Sequence, residues 1–243
     1  MTERVFEQDA YAQLCDAIVV ASDESGVILD RTVFYPLGGG QPGDRGELVL
    51  ADGTRVKVVD TVKGDGGAIV HRVEGDAGVL PPGARVTAAI DWPRRYTHMR
   101  YHTCLHLLCA VVAAPVTGGR MGADKAHLDF DIDMDRLDAS DIETRLNALI
   151  ADDDPVEPGE IQEAELDANP GLVKTMSVQP PRGQGTVRTI CIADVDLQPC
   201  GGTHLKRTGE IGRVRVTRIR SEGKRNKRVT IVLEAPDEPA GAQ

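Results

Sequence analysis

Two short segments carry the residue types that bind metal ions, His102-Thr-Cys-Leu-His106 and Cys200-Gly-Gly-Thr-His204. On a helix, residues four apart share a face with Cβ atoms about 5–6 Å apart, so two imidazoles at that spacing can converge on one cation. His98 extends the same face, and spacing alone also permits His98 with His102 as the pair. All three do not fit one ion from a straight helix, because eight residues rise about 12 Å. The second segment offers a thiolate and an imidazole from a turn that its glycines allow to fold around a cation. Three imidazoles and a thiolate favour Zn²⁺ over Mg²⁺ or Ca²⁺. The zinc-protease pattern is absent, since Thr103 stands where that motif needs its Glu. Asp194 and Asp196, just upstream of Cys200, are placed to orient a ligand imidazole. Cys104 falls on the wrong helical face and, with Cys15, Cys109 and Cys191, reads as a small buried hydrophobe.

A second chemical segment is FYPLGGGQPGDRG, from Phe34 to Gly46. Gly38, Gly40 and Gly43 formally satisfy GxGxxG, but Pro42 interrupts and a strand comes next, so no helix N-terminus is available to hold a pyrophosphate. No Lys-Ser/Thr completes a phosphate loop either. What remains is a turn of exposed backbone N–H groups with one amide side chain, Gln41.

The elements that must position these segments differ between the two halves. From Ala17 to Ile90 short apolar runs alternate with Gly, Asp and Pro, which predicts a small β-barrel or sandwich. After Trp92 the period changes: Met99, Leu105, Leu108, Cys109 and Val112 form a helical stripe that should end near Ala114-Pro115. His127, Asp129 and Asp131 alternate with Leu128 and Phe130 as a half-buried strand, and Ser140 with Glu143 predicts a capping box opening a second amphipathic helix. Pro155, Pro158, Pro170, Pro180 and Pro181 divide the chain beyond that helix into turns and short strands. RVRVTRIR and RVTIVLE pair through a basic connection, and the tail from Ala235 frays. The expected fold class is α+β, with a barrel at 1–92 and, at 93–243, a domain of helices packed on an antiparallel sheet.

Length and charge bound the rest. The 243 residues are 41% hydrophobic with a formal charge of −10, a globular acidic composition. The longest nearly apolar stretch, 105–116, is far short of the roughly 20 residues that span a bilayer, and MTERVFEQDA lacks the basic and apolar regions of a signal peptide. Five scattered cysteines suit reduced thiols, so we expect a cytoplasmic protein with no membrane partner. Asp129–Asp167 holds 15 acidic and 2 basic residues, while Lys206–Arg228 holds 10 basic and 2 acidic. That basic strip either keeps an edge strand soluble or faces a phosphate backbone.

Taken together, GGGQPGDRG, RYHTCLHLL at 100–108 and CGGTH preceded by VDLQP resemble the alanyl-tRNA editing proteins, free-standing relatives of the editing domain of alanyl-tRNA synthetase. The order and spacing of the motifs match over nearly the whole chain. The resemblance implies a barrel carrying the glycine motif and an editing domain shared with threonyl-tRNA synthetase. It implies one zinc ion on His102, His106, Cys200 and His204, with His98 a neighbour. It also implies hydrolysis of the ester joining serine, and sometimes glycine, to the acceptor end of tRNA(Ala). An alanine pocket cannot strongly reject such small competitors by size, whereas a second site that bonds the serine hydroxyl can. On this reading Gln41 and Thr103 bond the seryl group or terminal ribose, and Gly39, Gly40 and Asp44 shape the substrate contact. Lys206, Arg207, Lys224, Arg225 and Arg228 would hold tRNA phosphates. Leu37 stands where the family often has Thr or Glu, which bears on serine selectivity. Competing readings are deacylation of another mischarged tRNA and a zinc-stabilised tRNA-binding module without turnover.

Overall fold

The computed structural model describes residues 2–176, 179, 180, 183 and 185–234, so the expected turn at Pro181 and the tail from Ala235 lie outside the described residues. The chain divides into two compact units, Met1–His98 and Met99–Gln243.

In the first unit six strands close into a barrel: β1 (Leu14–Asp23), β2 (Gly26–Leu29), β3 (Gly46–Leu50), β4 (Arg55–Lys63), β5 (Ile69–Val73) and β6 (Arg85–Ile90), in the order β1-β2-β5-β4-β3-β6. Closure results from alternation. Cys15, Ala17 and Val19 of β1 point inward, where Val27, Leu29, Phe34, Leu48, Leu80 and Ala88 fill the interior, and Leu14, Asp16, Ile18 and Val20 point outward. A closed barrel leaves no edge strand to protect.

Three buried polar groups of this unit are fully engaged. Arg95 and Asp44 are 0% and 1% exposed. The Arg95 guanidinium grips the Asp44 carboxylate through two nitrogens and also donates to the carbonyls of Ala10 (3.1 Å) and Val33. The Asp44 carboxylate also accepts the Tyr35 N–H, at 2.6 Å. His71 is buried with Nδ1 donating to the Val27 carbonyl at 2.9 Å and Nε2 at 2.8 Å from the Thr32 hydroxyl. Burial pushes its pKa down to about 4, against the pull of the Val27 carbonyl.

Helix α1 (Trp92–Val112) begins where Asp91 accepts the Arg94 N–H and Pro93 occupies the first turn. It ends at Ala113, whose φ of 51° takes the left-handed position that stops a helix, two residues before Pro115. The expected apolar stripe is an understatement, for every residue from Tyr101 to Cys109 is buried.

Among its described residues the second unit holds two antiparallel sheets rather than the single one expected. One comprises β7 (Val116–Met121), β8 (Ala126–Phe130), β12 (Val214–Gly223) and β13 (Asn226–Leu233) in the order β12-β13-β8-β7. The other orders β9 (Val156–Gln162), β10 (Thr186–Ile192) and β11 (Asp196–Pro199) consecutively. Pro158 sits inside β9 rather than breaking it, which an edge strand tolerates. Helix α2 (Ala139–Ala151) buries Ile142, Leu146 and Ile150, and its N-cap is Asp138, not Ser140. Glu143, read from the sequence as half of a capping box, instead accepts the Val216 N–H at 2.8 Å. With Asn147, which bonds both the N–H and the carbonyl of Val214, it covers the open edge of β12. Among the described residues no helix is long and apolar enough to cross a membrane.

Candidate metal centre

Helix α1 presents His102 and His106 one turn apart, and β11 runs into the turn that carries Cys200 and His204. That turn is tied to β10: the Cys200 N–H reaches the Arg188 carbonyl at 3.1 Å, and the Arg188 guanidinium donates to the carbonyls of Cys200 and Gly202 at 2.6 and 3.0 Å. One ligand atom from each of His102, His106, Cys200 and His204 lies within 4.8 Å of all the others, a group that can hold a metal ion.

The backs of two imidazoles are fixed by protein partners. His106 Nδ1 lies 2.8 Å from an Asp196 oxygen. Asp196 is buried and also accepts from Gln198 (2.8 Å) and from the Lys174 ammonium. His204 Nδ1 meets the Thr103 hydroxyl at 3.2 Å, and the Leu205 N–H donates to that same oxygen. The Nε2 atoms of His102 and His204 face the Cys200 sulfur at 3.5 and 3.2 Å. Securing one ring nitrogen so that the other is free to ligate is the usual arrangement behind metal-binding histidines.

Electrostatics prepare the Cys200 and His204 donors. Burial works to raise the Cys200 thiol, but the facing His102 and His204 outweigh it and hold the sulfur well below the usual thiol range. The Gly202 N–H approaches that sulfur at 3.4 Å. Burial and the neighbouring His102 push His204 down to about 3, keeping it in the neutral form that ligates. For His106 burial also works downward, yet Asp196 and Cys200 lift it to about 9.

The other residues assigned from the sequence take varied places. Asp196 orients a ligand, whereas Asp194 is exposed. Thr103 is fully buried, its oxygen occupied by His204 and Leu205. His98 is buried and is not part of the group. In the first unit, Gly39 and Gly40 occupy positive φ of 57° and 82° between Gly38 and Gln41, whose backbones exchange hydrogen bonds, a tight turn that favours glycine. A Cβ at Gly43 would collide with the Thr61 carbonyl. The expected exposed amides are therefore partly used: Leu37 donates to Thr61, and Gln41, itself buried, donates to Gly38. Leu37 is 52% exposed beside the turn.

The basic strip is largely matched by acids that the sequence places far away. Arg228 holds Asp129 through two bonds of 2.7 and 2.8 Å, because β8 and β13 bring these residues opposite one another. Arg225 pairs with Asp131 at 3.1 Å and Arg207 with Asp153 at 2.6 Å. Lys206 and Lys224 are exposed. Sequence reasoning missed Arg188, Lys174 and the pairing of Asp44 with Arg95. Within one chain, a strand arginine or a loop lysine carries no local signature of such a role.

Comparison with known proteins gives two family matches: tRNA synthetases class II (A) over residues 7–94, and the Threonyl and Alanyl tRNA synthetase second additional domain over 187–230. The chain is 36% identical to the alanyl-tRNA editing protein AlaX-M of Methanosarcina acetivorans over 243 residues, 96% of this chain and 99% of the relative. It is 33% identical to AlaX-M of Saccharolobus solfataricus, covering 94% and 98%. An alanine–tRNA ligase of Metallosphaera sedula is 36% identical over 226 residues, 90% of this chain but 24% of the ligase. Full-length likeness at this identity, joined to the motifs that bring His102, His106, Cys200 and His204 together, makes the chain a member of the alanyl-tRNA editing protein family.

Proposed function

We propose that this protein edits mischarged tRNA(Ala) in trans, hydrolysing the ester that joins serine, and secondarily glycine, to the 3′ end. The observation that carries the reading is the convergence of His102, His106, Cys200 and His204, in a chain similar along its whole length to alanyl-tRNA editing proteins. The donor set fits Zn²⁺: a depressed thiol and imidazoles secured at Nδ1 are the ligand forms that a borderline-soft cation takes. In the loaded site the ion supplies charge that polarises an oxygen or amine of the aminoacyl end.

The chain's own groups do the positioning. Asp196 holds His106, and Thr103 holds His204, so we assign Thr103 to ligand orientation rather than to contact with the seryl group. Gln41, Gly39 and Gly40 keep the proposed role of substrate contact, with Asp44 maintaining their loop through Arg95 and Tyr35. Lys206 and Lys224 are proposed phosphate contacts, as are Arg207, Arg225 and Arg228, each of which must exchange a carboxylate for the phosphate. A cytoplasmic setting suits a tRNA substrate.

Four protein ligands also suit a closed structural site, which favours one competing reading, a tRNA-binding module without turnover. The deciding experiment measures hydrolysis of Ser-, Gly- and Ala-tRNA(Ala) by the purified protein with zinc quantified in the same sample. Loss of serine at least about tenfold faster than alanine is expected. No hydrolysis at stoichiometric zinc, or equally fast loss of alanine, overturns the proposal.

A further inference from the structure

The four-stranded sheet turns Leu128, Phe130, Val229 and Ile231 to its buried side, so the alternate residues form its other face. Register sets one row across that face, Arg120, His127, Thr230 and Arg218, one residue from each strand. The next row is Gly118, Asp129, Arg228 and Arg220.

The two rows differ in charge. In the second, Arg228 is held by Asp129 and lies 3.3 Å from Glu222, which also pairs with Arg220. In the first, Arg120 and Arg218 are exposed and have no ion pair among the described residues. Three strand spacings separate the row's ends, about 14 Å, with an imidazole and a hydroxyl between. Arginine and threonine are phosphate-contacting types.

We propose that this open face, through Arg120 and Arg218, is where the phosphodiester backbone of the tRNA rests, which relies on the editing reading for RNA as the partner. Charge complementarity carries the choice. The chain is at −10 overall, so a polyanion is repelled by most of its surface and accepted where cations are left uncompensated. A protein partner is disfavoured because none of the large exposed apolar side chains, Leu14, Ile18, Val20, Leu37, Met134, Met176 and Leu197, belongs to this sheet, and such anchors dominate protein interfaces.

The test compares wild type, the double variant Arg120→Gln/Arg218→Gln, and Arg55→Gln, a single charge removal at an arginine of barrel strand β4 that Glu47 already compensates. Neither sheet arginine is buried, so the double variant folds. Dissociation constants for uncharged tRNA(Ala) are measured across a salt series, alongside kcat and KM on Ser-tRNA(Ala). The double variant is expected to bind roughly tenfold more weakly at physiological salt, with the salt slope reduced by about 1.5–2 and KM raised while kcat and zinc content hold. Arg55→Gln should leave binding unchanged. If the double variant keeps the wild-type dissociation constant, slope and KM, or if Arg55→Gln weakens binding equally, the surface is wrong while editing stands. If wild type binds with this arginine dependence but leaves Ser-tRNA(Ala) intact, the surface stands and the editing reading falls.

Discussion

Buried polar groups of the barrel and of the second unit obey opposite rules. In the barrel Asp44, Arg95 and His71 each meet a complement. Asp44 faces Arg95, and both nitrogens of His71 are used, one donating to Val27 and one bonded to Thr32. In the second unit the Nδ1 atoms of His106 and His204 meet partners from outside the group, Asp196 and Thr103, while ligand atoms of four residues face one another. Electron-pair donors gathered from four residues in a buried place form a group that can hold a cation. A buried histidine therefore reads as structural when both nitrogens are satisfied, and as a candidate ligand when one is satisfied and the other converges on its like.

Removing a ligand should break that contrast most completely. Cys200→Ser is expected to lose zinc and to lower deacylation at least about 100-fold, read by metal analysis and single-turnover hydrolysis, because the remaining imidazoles lack a thiolate to balance the cation. Retained zinc and activity would place the metal elsewhere. In the barrel, Asp44→Asn should leave the buried Arg95 charge uncompensated and cost about 3–5 kcal/mol in denaturant unfolding. Zinc content should be untouched, and a chelator should not reproduce the loss.

His71 sharpens the comparison through pH. Its folded pKa of about 4 lies below the ordinary 6.5, so the unfolded chain binds the proton more tightly. The contribution is full above about pH 6.5 and declines as pH falls toward 4, a loss on the order of 3 kcal/mol in this window. His71→Gln should flatten that part of the stability profile, and an unchanged slope would show that other groups set it. The smallest effect belongs to Asp196→Asn, which keeps a hydrogen-bond acceptor but removes the charge behind His106. Zinc affinity by chelator competition should weaken about 10–100-fold, with the fold intact.

Much of this protein was legible from its residues alone. Alternation between Ala17 and Ile90 specified a barrel or a sandwich, since a period of two with frequent Gly and Asp admits few other solutions. The change of period after Trp92 located α1 within a residue or two at each end. Local chemistry was equally clear: four-residue spacing put His102 and His106 on one helix face, and the family pattern, rather than the spacing, excluded His98.

Tertiary structure decided what depends on residues distant in sequence. Whether Glu143 caps its own helix or the edge of β12, and whether Thr103 touches substrate or a ligand, turns on partners 73 and 101 positions away. The charge map changed most, because strand register sets Asp129 against Arg228 and leaves Arg120 and Arg218 as uncompensated cations among the described residues of that sheet face. Periodicity and motif spacing are local properties, carried by each segment's own backbone geometry. Charge compensation and hydrogen-bond satisfaction are sums over neighbours, and only the packed chain determines which neighbours those are.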